Sequence, residues 1–199
     1  MGRAGEESEG IDLDKAMASM SRDNLEMVLA ICIHKYPDCY DILLNELRKP
    51  IDLSQLNIDD SIDALEDDPE TAIGLLTDII ERANSFTDSD CIANAITILR
   101  STTELISKNT DIIKNIDDSD YLKEFWVILE QAWESLFNKV TEYDKMKSLF
   151  SDLAAWRKSI VGCAGPIFDE SLRALKARIE TIRAERPKKR SKTEMLTSK

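Results

Sequence analysis

Residues 121–140, YLKEFWVILEQAWESLFNKV, place Leu122, Phe125, Trp126, Leu129, Trp133, Leu136, Phe137 and Val140 at offsets of 0, 3, 4, 7, 11, 14, 15 and 18. That period keeps every apolar side chain on one side of an α-helix for five turns, with Lys123, Glu124, Glu130 and Glu134 around the rest. A strand alternates with a period of two, so this stretch predicts a long helix with one face in a core. The pattern repeats downstream. Met146, Leu149, Phe150, Leu153, Trp156 and Ile160 form a second stripe closed by Gly162, Gly165 and Pro166, and Leu172, Leu175, Ile179 and Ile182 form a third, from about Phe168 to Pro187.

Upstream, Asp68-Pro69 reads as an N-cap followed by proline in the first turn. It opens a helix carrying Ile73, Leu76, Ile80 and Ala83, which Asn84 to Asp88 are expected to break. Asp88 or Ser89 would then cap a helix bearing Ile92, Ala95, Ile96, Leu99, Thr103 and Ile106, ending near Asn109. Asp117, Asp118 and Asp120 place carboxylates at a helix N-terminus, where the dipole favours them. Near the start, Ser21 caps a helix with Leu25, Val28, Leu29 and Cys32, which stops at Tyr36 because the residue before Pro37 is pushed out of the α region. Pro37 begins a second helix with Tyr40, Leu43, Leu44 and Leu47, closed by Pro50, so the two make a tight hairpin.

Together these segments predict an all-α protein: an N-terminal helical hairpin followed by an antiparallel helical bundle of about seven helices. The organisation expected is an acidic, disordered N-terminus (1–18), the hairpin (19–50), an acidic connection with a short helix in it (51–68), the bundle (69–186) and a basic, disordered tail (187–199). The chain has 199 residues, of which 43% are hydrophobic and 32% charged, enough for one sizeable core. Six glycines and five prolines are too few for the many turns of a β-sandwich or barrel. No apolar run approaches the roughly 20 residues that cross a bilayer, and MGRAGEESEG has no signal-peptide core, which points to an intracellular protein.

The residues that catalysis usually needs are sparse. His34 is the only histidine, and neither a Walker-type GxxxxGK[ST] nor a GxGxxG motif occurs. Cys32, Cys39, Cys91 and Cys163 form no CxxC pair; Cys32, His34 and Cys39 lack a fourth ligand for zinc, and the acids of 59–70 lack the spacing of an EF-hand. Free thiols, no metal, no cofactor and no enzymatic activity are the expectation.

Charge is unevenly divided. From Arg183 onward there are seven basic residues against two acidic ones, a formal +5, which leaves −17 on residues 1–182 of the net −12. So acidic a body repels phosphate backbones, and direct nucleic-acid binding is not expected. The run Lys188, Lys189, Arg190 and Lys192, after Pro187, has the composition of a nuclear import signal, and Ser191 within it could be switched by phosphorylation.

Ser21-Arg22-Asp23-Asn24, followed by LEMVLAICIHKYPDCYDIL (25–43), resembles the opening of the nuclear-proteasome tethering factor family of yeasts. Leu25, Leu29, Cys32, Lys35, Pro37 and Asp38 match that family's helix and corner, while Tyr36 stands in place of its usual histidine. Leu153-Ala154-Ala155-Trp156 echoes an Ala-Trp near the end of the family's bundle, so the likeness spans roughly residues 15–160. The resemblance implies a homodimer formed through the hairpin, with Tyr36, Pro37 and Asp38 fixing its corner, and a six-helix bundle behind it. It also implies a non-enzymatic adaptor, in nucleus and cytoplasm, that binds proteasome subunits and an importin-α-type receptor in support of ubiquitin-dependent degradation of nuclear proteins. The family carries its basic segment before the hairpin; here the basic run follows the last helix. An acidic helical chaperone or scaffold for basic nuclear proteins such as histones is the alternative that the charge suggests.

Overall fold

A computed structural model describes Met17, residues 19–116 and residues 120–196, with side chains described as far as residue 184. Among the described residues the chain is an all-α helical bundle of nine helices without strands. They are α1 (Arg22–Lys35), α2 (Pro37–Arg48), α3 (Ile58–Asp63), α4 (Pro69–Asp88), α5 (Ile92–Lys108), α6 (Thr110–Ile113), α7 (Asp120–Lys139), α8 (Tyr143–Ala164) and α9 (Asp169–Leu196). The chain divides into two compact units, residues 1–47 and 48–199.

The first unit is the hairpin. Ser21 Oγ accepts from the Asn24 N–H at 3.4 Å, which caps α1 as its sequence predicts. Tyr36 is extended (φ −132°, ψ 90°), the conformation forced on a residue before proline, and its N–H closes the last turn on Cys32 O at 2.8 Å. Pro37 then opens α2, whose first turn holds Asp38 where the dipole favours an acid.

The second unit is built on α4, which packs against both α5 and α7, with α8 across α5 and α9 against α8. All eight apolar residues of the α7 stripe are buried. At the centre Trp133 is fully buried, its ring 5.4 Å from Phe137 and 5.9 Å from Trp156, and its Nε1–H donates to Thr103 Oγ1 at 3.0 Å. The α8 stripe is covered less evenly: Met146, Leu149, Leu153 and Ile160 are buried, whereas Phe150 and Trp156 are only partly so.

Several boundaries differ from expectation for identifiable reasons. Residues 51–68 are part of the bundle rather than a mere connection. A 3₁₀ turn (Leu53–Leu56) and α3 bury Leu56, Ile58, Ile62 and Leu65 while every carboxylate from Asp59 to Glu70 stays exposed. Asn57, left-handed at φ 50°, links the turn to α3. Asn94 adds a long-range tie, accepting from Ile51 N–H at 3.2 Å and donating to Lys49 O at 2.8 Å.

Helix α4 does not break at 84–88. Phe86 and Thr87 are buried and hold it to Asp88, and the chain turns instead at Asp90 (φ 55°) before α5, whose N-cap is Cys91 with no side-chain cap. Gly162 lies within α8, and the helix ends at Gly165 (φ 70°, ψ −151°), a conformation open to glycine alone. Phe168 follows at φ 65°, fully buried. Finally, α9 runs through Pro187 to Leu196 instead of stopping there. The ring forfeits one hydrogen bond, but Ala184, Lys188, Lys189 and Arg190 around it are strong helix formers.

Candidate interaction surfaces

The two units differ in how they treat their apolar side chains. In α1 and α2 no residue is buried. Nine of the twelve large apolar side chains described as exposed lie between Met17 and Ile42, among them Met27 (56%), Ile31 (56%) and Ile42 (62%). The cause is in the sequence: from Leu25 to Ile33 every residue but Glu26 is apolar, so the middle of α1 is hydrophobic all round. A helix of that kind is stable when covered on every side, and one neighbour in a hairpin covers only one. The corner residues serve geometry. Tyr36 shapes the turn, with Lys35 Nζ 5.4 Å from its ring centroid, Pro37 fixes the start of α2, and Asp38 sits in its first turn.

On the bundle, Asp59, Asp60, Asp63, Glu66, Asp67, Asp68 and Glu70 are all exposed and held in place by the buried side of the same segment. A groove of about 510 Å³ beside them runs between the 3₁₀ turn, the start of α3 and α5, and includes Asp59, Asp60 and Glu104, the last paired with Lys108 at 2.7 Å.

Along α9 the basic residues are partly engaged. Arg173 pairs with Glu170 at 2.6 Å, and Arg178 donates to the Phe137 carbonyl at the end of α7, a cation where the helix dipole favours one. Lys188, Lys189, Arg190 and Lys192 lie on the backbone of α9, and their side chains fall outside the described residues.

The cysteines are free thiols. Cys163 donates to Ile160 O at 3.0 Å, and burial pushes its thiol above the ordinary value. Among the described residues no group of three or more His, Cys, Asp or Glu side chains is disposed to hold a metal ion, and no helix is long and apolar enough to cross a membrane.

One carboxyl is held away from its ordinary value. Glu130, on α7, is raised first by burial and then by Glu134 and Asp169, against the Phe168 N–H and Ser171 hydroxyl, which favour the ionised form. Asp169 itself pairs with Arg157 at 2.5 Å. Because the folded state binds this proton more tightly than the unfolded one, stability is lost as pH rises through the raised value. Glu130→Gln is therefore expected to melt above the parent at pH 7, with the difference shrinking as pH falls and the carboxyl takes up its proton. Thermal scans from pH 7 downward check the sign, and a variant that melts lower at pH 7 would contradict it.

Comparison with known protein families, curated proteins and solved structures finds no match to this chain.

Proposed function

We propose that this protein is a non-enzymatic adaptor that self-associates through its N-terminal hairpin and uses its helical bundle to engage protein partners. The carrying observation is the hairpin itself, two helices with an α1 that is apolar all round from Met27 to Ile33 and not one buried residue. A second copy supplies the missing cover economically, since two hairpins related by a two-fold axis make a four-helix bundle from one surface used twice. The corner at Tyr36, Pro37 and Asp38 would set the angle at which each hairpin is presented.

The resemblance to nuclear-proteasome tethering factors gives this adaptor a cargo and a place. In this reading it holds proteasomes in the nucleus, in support of ubiquitin-dependent degradation there, and enters through an importin-α-type receptor bound at Lys188, Lys189, Arg190 and Lys192. The folded segment of residues 59–70, with its carboxylates exposed, favours a second reading, a scaffold for basic nuclear proteins such as histones.

Purified proteasome and purified histone octamer, each passed over the immobilised full chain, separate the two. Retention of proteasome at physiological salt supports tethering. Retention of histones alone, collapsing as salt rises, supports the acidic scaffold, and retention of neither overturns both. In cells, replacing the four tail residues by glutamine in a fluorescent fusion is expected to move the protein to the cytoplasm; an unchanged nuclear signal would remove the import role.

A further inference from the structure

Against the acidity of the body, one groove is basic. Between the first half of α8 and the middle of α9 a groove of about 440 Å³ is lined by Tyr143, Phe150 and Ile179 below and by Lys147, Lys176 and Arg183 at its rims, with Glu180 its one carboxylate. The three apolar residues are partly buried and the three cations exposed.

Like Lys158 on α8, the three cations of the groove have no carboxylate partner among the described residues; what sets them apart is that they gather around one partly covered apolar floor. Elsewhere on these helices Lys145 pairs with Glu142, Arg157 with Asp169 and Arg173 with Glu170, while Arg178 bonds the Phe137 carbonyl. Among the described residues Lys147, Lys176 and Arg183 make no ion pair, in a chain whose 38 acidic residues outnumber its 26 basic ones. The apolar stripe is thinly covered at the same place, with Phe150 only partly buried on α8 and, on α9, Ile179 and Ile182 partly exposed beyond Leu175, the last of the described side chains to be buried.

We propose that this groove binds a short acidic peptide segment of a partner protein, one bulky apolar side chain entering between Tyr143, Phe150 and Ile179 and flanking carboxylates meeting Lys147, Lys176 and Arg183. Charge complementarity selects the carboxylates, and the partly covered apolar floor selects the anchor. The surrounding charge selects the size. A −17 body opposes a polyanion or an anionic membrane, whose charge extends far beyond the groove. A short peptide interacts mainly within one screening length, about 8 Å at physiological salt, where the local cations dominate. The inference is independent of the partner assigned above.

The probe is a fluorescein-labelled hexapeptide, acetyl-Glu-Asp-Leu-Phe-Asp-Glu-amide, titrated into the full chain and read by fluorescence anisotropy. Binding is expected at tens of micromolar and should weaken several-fold between 50 and 200 mM salt. K147E/K176E is expected to weaken it at least about tenfold, since each substitution turns an attraction into a repulsion. These side chains are exposed, so the variant should keep its helix content by circular dichroism. A peptide with Ser-Ser in place of Leu-Phe should lose most of the affinity. Replacing Lys188, Lys189, Arg190 and Lys192 by glutamine should leave binding within about twofold. The proposal is overturned if the peptide fails to bind at 1 mM, if K147E/K176E binds as the parent does, or if the tail variant alone loses the signal. It is also overturned if phosphatidylserine vesicles or oligo-dT compete through Lys147 and Lys176 better than the peptide binds.

Discussion

Replacing Ile31 and Ile42 together by aspartate is expected to convert a dimer into a monomer in sedimentation equilibrium, raising the dissociation constant at least about a thousandfold. The magnitude follows from burial. A large aliphatic side chain removed from water contributes about 1.5–3 kcal/mol, and in a two-fold interface each substitution acts twice. A thousandfold corresponds to about 4 kcal/mol, so even partial burial of the two pairs reaches it. Aspartate adds the cost of desolvating a carboxylate without a partner. The isolated chain should not suffer, because Ile31 and Ile42 are 56% and 62% exposed in it. The bundle of residues 48–199 should therefore keep its helical circular-dichroism signal and its cooperative melt while the mass halves. A parent chain that sediments as a monomer at 100 µM would overturn the self-association reading outright.

Much of the architecture is written in the spacing of large apolar residues. The stripe from Leu122 to Val140 is buried at every one of its eight positions, because a five-turn amphipathic helix has only one way to hide that face. Caps were equally plain where proline or a short polar side chain dictates local geometry: Ser21 and Asp68 each accept from the residue three ahead. What local pattern could not give is whatever depends on a distant neighbour. Asn84 to Asp88 look like a break, yet Phe86 and Thr87 carry α4 on because other helices cover them. Asn94 is a polar residue on an apolar stripe until its partners, the backbones of Lys49 and Ile51, come into view. In the same way the acidic 51–68 segment hides four apolar residues whose irregular spacing belongs to no single helix face. The groove of α8 and α9 depends on which faces of the two helices meet, and spacing along one chain carries none of that. The same is true of the hairpin. Leu25, Val28, Leu29 and Cys32 read as a single apolar face, and only the exposure of Met27, Val28, Leu29 and Ile31 in the folded chain shows that the run from Leu25 to Ile33 needs cover on all sides.

The largest stability loss is expected at Trp133. Truncation to alanine removes the biggest fully buried side chain of the bundle, and large aromatic truncations of this kind cost about 3–5 kcal/mol. For a chain of this length each kcal/mol is worth about 2–4 °C, so the melting temperature should fall by roughly 6–20 °C. Two further variants divide that loss into its causes. Thr103→Val keeps the volume beside the ring but takes away the acceptor of the Trp133 Nε1–H, which lies 3.0 Å from Thr103 Oγ1. A buried donor left unpaired costs about 1–3 kcal/mol, so this variant should lose roughly a third to a half as much as the truncation. Trp156→Ala removes the ring 5.9 Å away, but from a site that is only partly buried, so water can fill part of the space and the loss should be smaller than at Trp133. The ordering, with Trp133→Ala well beyond either of the others, is what thermal and urea unfolding would check. Equal losses at Trp133 and Trp156 would mean that the centre of the bundle lies closer to α8 than the burial of α7 implies.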